Sequence, residues 1–319
     1  MKKLIAIVSG EPNSINSEII IKAWKKIKNK KNLFIIGNYF VLKKQISNIG
    51  FNIKISKIDS IKEFNNKNNL SILNVPLKSK SIFKHNNIDT KNYVLKCLNL
   101  AHYLASKKKI KGFINASIDK KIFDNKYLGV TEYLASKNKV KNKEVMMIYN
   151  KKLSVVPLTT HIEIKDVTRK IKIDLIKTKI LTLNKYYTKI FKRKPKIVIL
   201  GLNPHNSENR TNSIENKIIK PAVNILKKLN INLKGPLPAD TVFNNQKKFD
   251  YNVVVGMYHD QVLAPFKALY GFNAINITLG LGYLRLSPDH GTARDIIGLD
   301  KANPQSLISA INFLNKVND

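Results

Sequence analysis

Six histidines occur in this 319-residue chain, and three of them stand where chemistry is usually done. His161 closes Thr159-Thr160-His161, His205 closes Gly201-Leu202-Asn203-Pro204-His205, and His259 lies in Tyr258-His259-Asp260-Gln261. Each island follows a short apolar run that reads as a buried strand: Ser154 to Leu158, Ile197 to Leu200 and Val253 to Met257. Loops at the carboxyl ends of strands are where open α/β sheets bind ligands. Neutral imidazoles from three such loops suit a divalent metal with positions left open for substrate. Their spacing carries no local ligand pattern, so an ordinary hydrogen-bonded loop role stays open for each. His85 and His102 lack this context and read as surface or helix residues.

Between Gly235 and Gly298 the chain regains Gly, Pro, Asp and His, in Gly235-Pro236-Leu237-Pro238-Ala239-Asp240-Thr241 and Ser287-Pro288-Asp289-His290-Gly291-Thr292-Ala293. Asp240 and Asp260 fall in these polar islands, where either could be only a capping or turn residue. Arg285 stands out because arginine is scarce here, and lysine does not reproduce its two-pronged fork. The single cysteine, Cys97, excludes an internal disulfide framework and a cysteine-based zinc cluster. No GxGxxG fingerprint occurs.

The elements that must position these residues alternate. Further strands are expected at Leu4 to Val8, Leu33 to Ile36, Ile72 to Val75, Val145 to Tyr149 and Ile275 to Thr278. Helices are expected at Ser17 to Lys28, Asn92 to Lys107, Val167 to Phe191 with Asp166 as N-cap, Glu215 to Leu229 and Gln305 to Val317. Gly271 and Gly298 read as breakers, and the Gly291 turn reads as starting a helix at Ala293. The pattern implies an α/β fold with its sheet covered on both sides. No repeat or linker marks a boundary, so two domains would require the chain to cross between them more than once.

With 57 Lys+Arg against 21 Asp+Glu the net charge is +36, which raises nucleic acid or an anionic membrane as partner. The lysines are spread unpatterned among Asn and Ile, and no nucleic-acid-binding motif accompanies them, so they read as solvated surface. Leu4 to Val8 is too short for a signal peptide, and no apolar run approaches the ~20 residues of a membrane helix. A soluble, cytoplasmic protein is expected.

Taken together with Gly10-Glu11-Pro12 and Asn276-Ile277-Thr278-Leu279-Gly280, the islands resemble the 4-hydroxythreonine-4-phosphate dehydrogenase family of pyridoxal phosphate biosynthesis. The resemblance runs almost end to end. It implies two α/β/α domains of the isocitrate and isopropylmalate dehydrogenase type with a cleft between them. One would comprise residues 1–128 plus 286–319, the other residues 129–285 with metal and dimer contacts. It further implies a homodimer with shared active sites, NAD or NADP, and one divalent metal per site, Zn2+ first and Mg2+ or Co2+ as alternatives. His161, His205 and His259 match the family's metal ligands. Thr131, Lys267, Asn276 and Arg285 match substrate-binding positions, and Asp240 and Asp260 are the candidate catalytic carboxylates. Asp289, His290, Gly291, Thr292 and Ala293 resemble the adenosine-binding loop of the wider dehydrogenase superfamily. The implied reaction is oxidation of 4-phosphooxy-L-threonine and decarboxylation to 3-amino-2-oxopropyl phosphate.

The chain also departs from the family. Gly-His-Thr-Glu appears as Gly129-Val130-Thr131-Glu132, and valine can neither donate a hydrogen bond nor carry charge. Ser14 and Asn16 stand at expected glycines; if positive φ is needed there, Asn16 tolerates it better than Ser14. Asn206-Ser207-Glu208-Asn209-Arg210 replaces a glycine-rich loop after His205, and Ala116-Ser117-Ile118-Asp119-Lys120 replaces a Gly-Pro-Ile-Asn-Lys-like stretch. Val130 motivates one alternative, a dehydrogenase of a four-carbon sugar-acid phosphate; the basic charge keeps a second, a nucleic-acid-binding protein retaining the fold, and a third is a folded but slow enzyme.

Overall fold

In the computed structural model, residues 3–65, 69–78, 81–124, 126–245, 250–271 and 273–317 are described. The strands are β1 (Ile5–Val8), β2 (Leu33–Gly37), β3 (Ile55–Ile58), β4 (Leu70–Asn74), β5 (Gly112–Asn115), β6 (Val145–Tyr149), β7 (Ser154–Pro157), β8 (Ile197–Leu200), β9 (Leu233–Leu237), β10 (Val253–Gly256), β11 (Ile275–Leu279) and β12 (Leu284–Pro288). The helices are α1 (Asn16–Lys26), α2 (Tyr39–Asn48), α3 (Asn87–Ser106), α4 (Val130–Lys137), α5 (Ile164–Lys170), α6 (Ile173–Phe191), α7 (Lys220–Lys228), α8 (Ala239–Val242), α9 (His259–Tyr270) and α10 (Gln305–Lys316). The chain divides into two compact units, residues 1–134 with 282–319 and residues 135–281.

In the first unit the strand order is β3-β4-β2-β1-β5-β12, and every pair in it is parallel. All residues of β1, β2 and β5 are buried, which explains their continuous apolar sequences: a strand covered on both faces has no polar side to alternate with. Helix α3 packs on β1, β2 and β5, while α10 packs on β12 and β5 and continues through α1 to α2. In the second unit the order is β11-β6-β7-β10-β8-β9. The run β7-β10-β8-β9 is parallel, and β6 is antiparallel to both its neighbours. Val262, Leu263 and Phe266 of α9 enter one core with Val155, Val198 and Val254 of the sheet. That packing carries α9 despite Pro265 in its interior, which removes a hydrogen bond from the ladder.

The α/β expectation holds, with local corrections. The helix expected over Val167 to Phe191 is two helices, α5 and α6, and Asp166 lies in the first turn of α5, whose N-cap is Glu163. Extended Lys172 separates them. Glu215 opens a π-helical turn, Glu215–Ile219, which runs into α7. Pro221 at the start of α7 has no N–H for an ordinary bond to that turn. No helix starts at Ala293; it is the left-handed cap of a single 3-10 turn, Arg294–Ile296. Gly298 follows at φ 77° and keeps the turn short. His85 is buried, not a surface residue, and its backbone is pinned by the Asn13 side chain. No described helix is long and apolar enough to cross a membrane.

Candidate functional site

The three histidine loops leave three neighbouring parallel strands. β10 lies between β7 and β8, so the chain emerges at His259 with the His161 loop on one side and the His205 loop on the other. Adjacent strands lie about 4.8 Å apart, so the topology gathers these loops on one edge. β9 comes next beyond β8, and its carboxyl end delivers Asp240 to that edge. Short bonds tie the strand ends together. Thr159 donates from both its N–H and its hydroxyl to the Met257 carbonyl. Gln261 accepts from the Met257 amide at 2.7 Å and donates to the Gly201 carbonyl at 2.7 Å.

His161 and His259 have ring centroids 5.8 Å apart. His205 Nε2 lies 3.6 Å from Asp240 Oδ2, and His259 Nδ1 lies 2.6 Å from Asp260 Oδ1. Among the described residues no three His, Cys, Asp or Glu side chains are gathered into a set that could hold an ion. The donor chemistry nevertheless fits a divalent cation. A carboxylate on Nδ1 orients an imidazole and leaves Nε2 as ligand, the usual outer-shell arrangement of metal-binding histidines. Asp260 is therefore placed to orient His259.

The loop that carries His205 is the least ordinary backbone in the unit. His205, Asn206, Ser207, Glu208 and Asn209 all have positive φ, between 48° and 61°. For residues with a side chain this conformation costs roughly 1–2 kcal/mol each. A Cβ on Gly201 would lie 2.0 Å from Asn206 Oδ1, so a larger residue there would push the Asn206 side chain out of its place. Asn206 donates to the Pro236 carbonyl. The buried Glu215 carboxylate accepts from the Leu202 and Asn203 amides, the Asn203 side chain and the Ser207 hydroxyl. Burial pushes the Glu215 pKa up, but the bonds from Asn203 and Ser207 outweigh it and leave the carboxyl below its ordinary value. Sequence reasoning used Glu215 only to mark a helix start; the one available signal was an acid in that first turn, just after the polar loop.

Of the expected substrate residues in this unit, Lys267 lies on α9 two turns after His259. Asn276 lies on β11 at the level of Val155 and Val254, behind the histidine edge. Its side-chain oxygen is buried without a hydrogen-bond partner among the described residues, which leaves an acceptor that a ligand's donor could satisfy.

The other expected groups belong to the first unit. Arg285 is buried on β12, where its Nε–H donates to Asn115 Oδ1 at 2.7 Å and its Nη1 to Thr131 Oγ1 at 3.1 Å. Burial brings its pKa down to about 10, opposed by the charge of Glu132 and by Tyr283, so Arg285 remains a cation at neutral pH. Two of the expected substrate positions, Thr131 and Arg285, thus bond each other. Half-buried Val130 precedes Thr131 as the first residue of α4.

The loop after β12 lies against the loop after β1. The Asp289 amide donates to Ser306, and the Thr292 carbonyl accepts from the Ile15 amide. His290 Nδ1 pairs with the Gly291 carbonyl and its buried Nε2 has no partner among the described residues; burial lowers its pKa. Arg294 reaches Glu11 Oε1 at 3.4 Å and Asp119 Oδ2 at 3.0 Å. Ser14 and Asn16 do not take positive φ. Their side chains bond the Glu11 and Ser117 carbonyls, so this loop holds its shape without the two glycines.

Fold and site define an α/β protein whose polar groups stand at the carboxyl ends of parallel strands, the ligand-binding position of such folds. The model of the family described as pyridoxal phosphate biosynthetic protein PdxA matches residues 29–314. The chain is 39% identical over 320 residues to 4-hydroxythreonine-4-phosphate dehydrogenase of Sulfurihydrogenibium sp., covering 97% of this chain and 96% of that one. It is 36% identical to the enzyme of the same name from Aquifex aeolicus, covering 100% and 99%. The crystal structure of 4-hydroxythreonine-4-phosphate dehydrogenase from Klebsiella pneumoniae superposes with a TM-score of 0.87 at 29% identity, covering 98% of this chain and 99% of that one. The chain belongs to the PdxA family of pyridoxal phosphate biosynthetic proteins.

Proposed function

We propose that the chain is an NAD-dependent 4-hydroxythreonine-4-phosphate dehydrogenase. The secondary alcohol of 4-phosphooxy-L-threonine loses a hydride to NAD+ and a proton, and the resulting 3-oxo acid loses its carboxylate as CO2. The product is 3-amino-2-oxopropyl phosphate, a precursor for pyridoxal phosphate. Family membership over nearly the whole chain carries this reading. The grouping of the His161, His205 and His259 loops on one sheet edge supports it.

His161, His205 and His259 would hold a divalent cation, Zn2+ first, which supplies Lewis-acid charge next to the substrate's hydroxyl and amine. Asp260 holds the Nδ1 proton of His259 and so fixes the ring's tautomer. Asp240, beside His205, is the second carboxylate available to hold or move a proton. Arg285 presents a permanent cation held in one orientation by Asn115 and Thr131, which suits an anionic substrate group. Lys267 and Asn276 contribute a second cation and an amide. Asp289, His290, Gly291, Thr292 and Ala293 take the dinucleotide, NAD or NADP, which accepts the hydride. The active form in this reading is a cytoplasmic homodimer with sites shared between chains. A monomeric mass in an active preparation would refute that part.

The deciding experiment follows NADH formation from 4-phosphooxy-L-threonine, with metal-stripped protein and after Zn2+, Co2+ or Mg2+ is returned. Absence of turnover with every metal rejects the assignment. One observation favours a second reading: Val130 offers no polar contact beside Thr131, so a four-carbon sugar-acid phosphate lacking the amine becomes a competing substrate. A higher kcat/KM on the hydroxy acid than on the amino acid would establish it.

A further inference from the structure

Glu215 is fully buried, yet among the described residues its carboxylate is held by neutral donors and not by a cation. Among the described residues, the groups that bond its carboxylate come from one loop and from its own backbone amide. The adjacent amides of Leu202 and Asn203 converge on Oε1 at 2.9 and 2.8 Å. The Asn203 side-chain amide reaches Oε1 at 3.2 Å and Oε2 at 3.3 Å, and the Ser207 hydroxyl donates to Oε2 at 3.0 Å. His205 lies between the two ends of that grip. The loop needs it, because five consecutive side-chain-bearing residues in the left-handed region would relax toward ordinary backbone if left alone.

Two further contacts show how the grip is anchored. The Asn206 side-chain amide is tied to the Pro236 carbonyl at the end of the neighbouring strand, and the Gly201 carbonyl is tied to Gln261 on α9. Glu215 itself begins a π-helical turn, a wider winding than an α-helix, at the point where the carboxylate must reach back to Leu202. An ionised carboxylate is the fitting group here. Every partner is a donor, and both oxygens accept.

We infer that Glu215 is the positioning residue for His205: its buried carboxylate holds the loop of residues 201–210 in the left-handed form that places the imidazole on the shared edge. The consequence for metal binding rests on the proposed function; the consequence for the loop does not. Glu215→Gln keeps the shape of the side chain but sets an NH2 group against donors, so it breaks the grip without opening a cavity.

The test measures two quantities on the full chain. Amide hydrogen exchange at Leu202 and Asn203 reads the loop, and calorimetric titration of the metal-free protein with Co2+ reads the site. Glu215→Gln is expected to raise exchange at those two amides roughly 10- to 100-fold. It is also expected to weaken Co2+ binding roughly 10- to 100-fold, the usual effect of losing an outer-shell partner. If Glu215→Gln does not fold, Glu215→Asp, whose shorter arm cannot reach both ends of the loop, takes its place with the same expectations. Unchanged exchange at Leu202 and Asn203 overturns the inference. So does unchanged Co2+ affinity in a background where His205→Ala abolishes binding. If the wild type takes up no Co2+, the metal reading fails, and the exchange measurement alone decides the role of Glu215.

Discussion

Arg285 donates its Nε–H to Oδ1 of Asn115 across 2.7 Å, and both side chains are almost completely buried. The two residues stand on neighbouring parallel strands, β12 and β5. A buried guanidinium leaves water only if its donors find acceptors, so Asn115 both stabilises the cation and fixes the plane of its fork.

Removing that acceptor is expected to be felt in stability and in binding. Asn115→Ala should destabilise the fold by about 1.5–3 kcal/mol in urea unfolding, the usual worth of a buried bond to a charged group. In the proposed reaction its KM should rise more than its kcat falls. Arg285→Lys should lose more, because an ammonium cannot serve Asn115 and Thr131 with the same fork. A wild-type unfolding midpoint for Asn115→Ala would show that the guanidinium finds another partner.

Val130 stands where a histidine is expected from the sequence resemblance, beside the proposed substrate residue Thr131. Val130→His restores a polar group beside Thr131, and kcat/KM on 4-phosphooxy-L-threonine should rise about 10- to 100-fold with metal content unchanged. An equal or lower rate would mean the surroundings have been rebuilt around valine, and the sugar-acid phosphate reading would then lead.

The histidine edge makes a prediction about metal content. His161→Ala, His205→Ala and His259→Ala should each weaken metal binding by roughly 100-fold or more, beyond the 10–100-fold usual for outer-shell partners. The thermal midpoint of the metal-free protein should stay near wild type, since His161 and His205 are exposed and His259 is only half-buried. Full metal occupancy in any one variant would remove that residue from the set.

Glu11 yields a pH dependence. Burial raises its pKa above 4.5 despite the opposing charge of Arg294. With the folded pKa above the unfolded one, its favourable contribution is complete below the ordinary glutamate range and is lost as pH rises through the folded value. Glu11→Gln has no such loss. Its melting temperature relative to wild type should therefore increase from pH 4 to pH 8. A difference that stays flat or falls over that interval would show that the Arg294 pair dominates.

Much of the architecture was readable because burial on both faces leaves a plain mark. β1, β2, β8 and β10 are apolar runs, and the histidine islands directly follow β7, β8 and β10, each buried along its whole length. α9 was missed because Pro265 argues against a helix interior, and only packing of Val262, Leu263 and Phe266 against the sheet overrides that preference. β12 was missed because Arg285 interrupts its apolar pattern; burial there becomes tolerable only once Asn115 and Thr131 accept from the guanidinium. The family resemblance also held, since it rested on several motifs in order and not on one.

The sequence by itself determined the α/β class, the family and the loops that bear polar groups, because periodicity, glycines and motif order are local or linear properties. Only the tertiary structure decided that β7, β10 and β8 are neighbours, that Arg285 and Thr131 bond each other, and that Glu215 grips the His205 loop. Those are pairings between residues far apart in the chain or across a backbone turn of unusual hand. They depend on which strands hydrogen-bond side by side and which buried polar atoms find partners, and no single stretch of sequence carries that information.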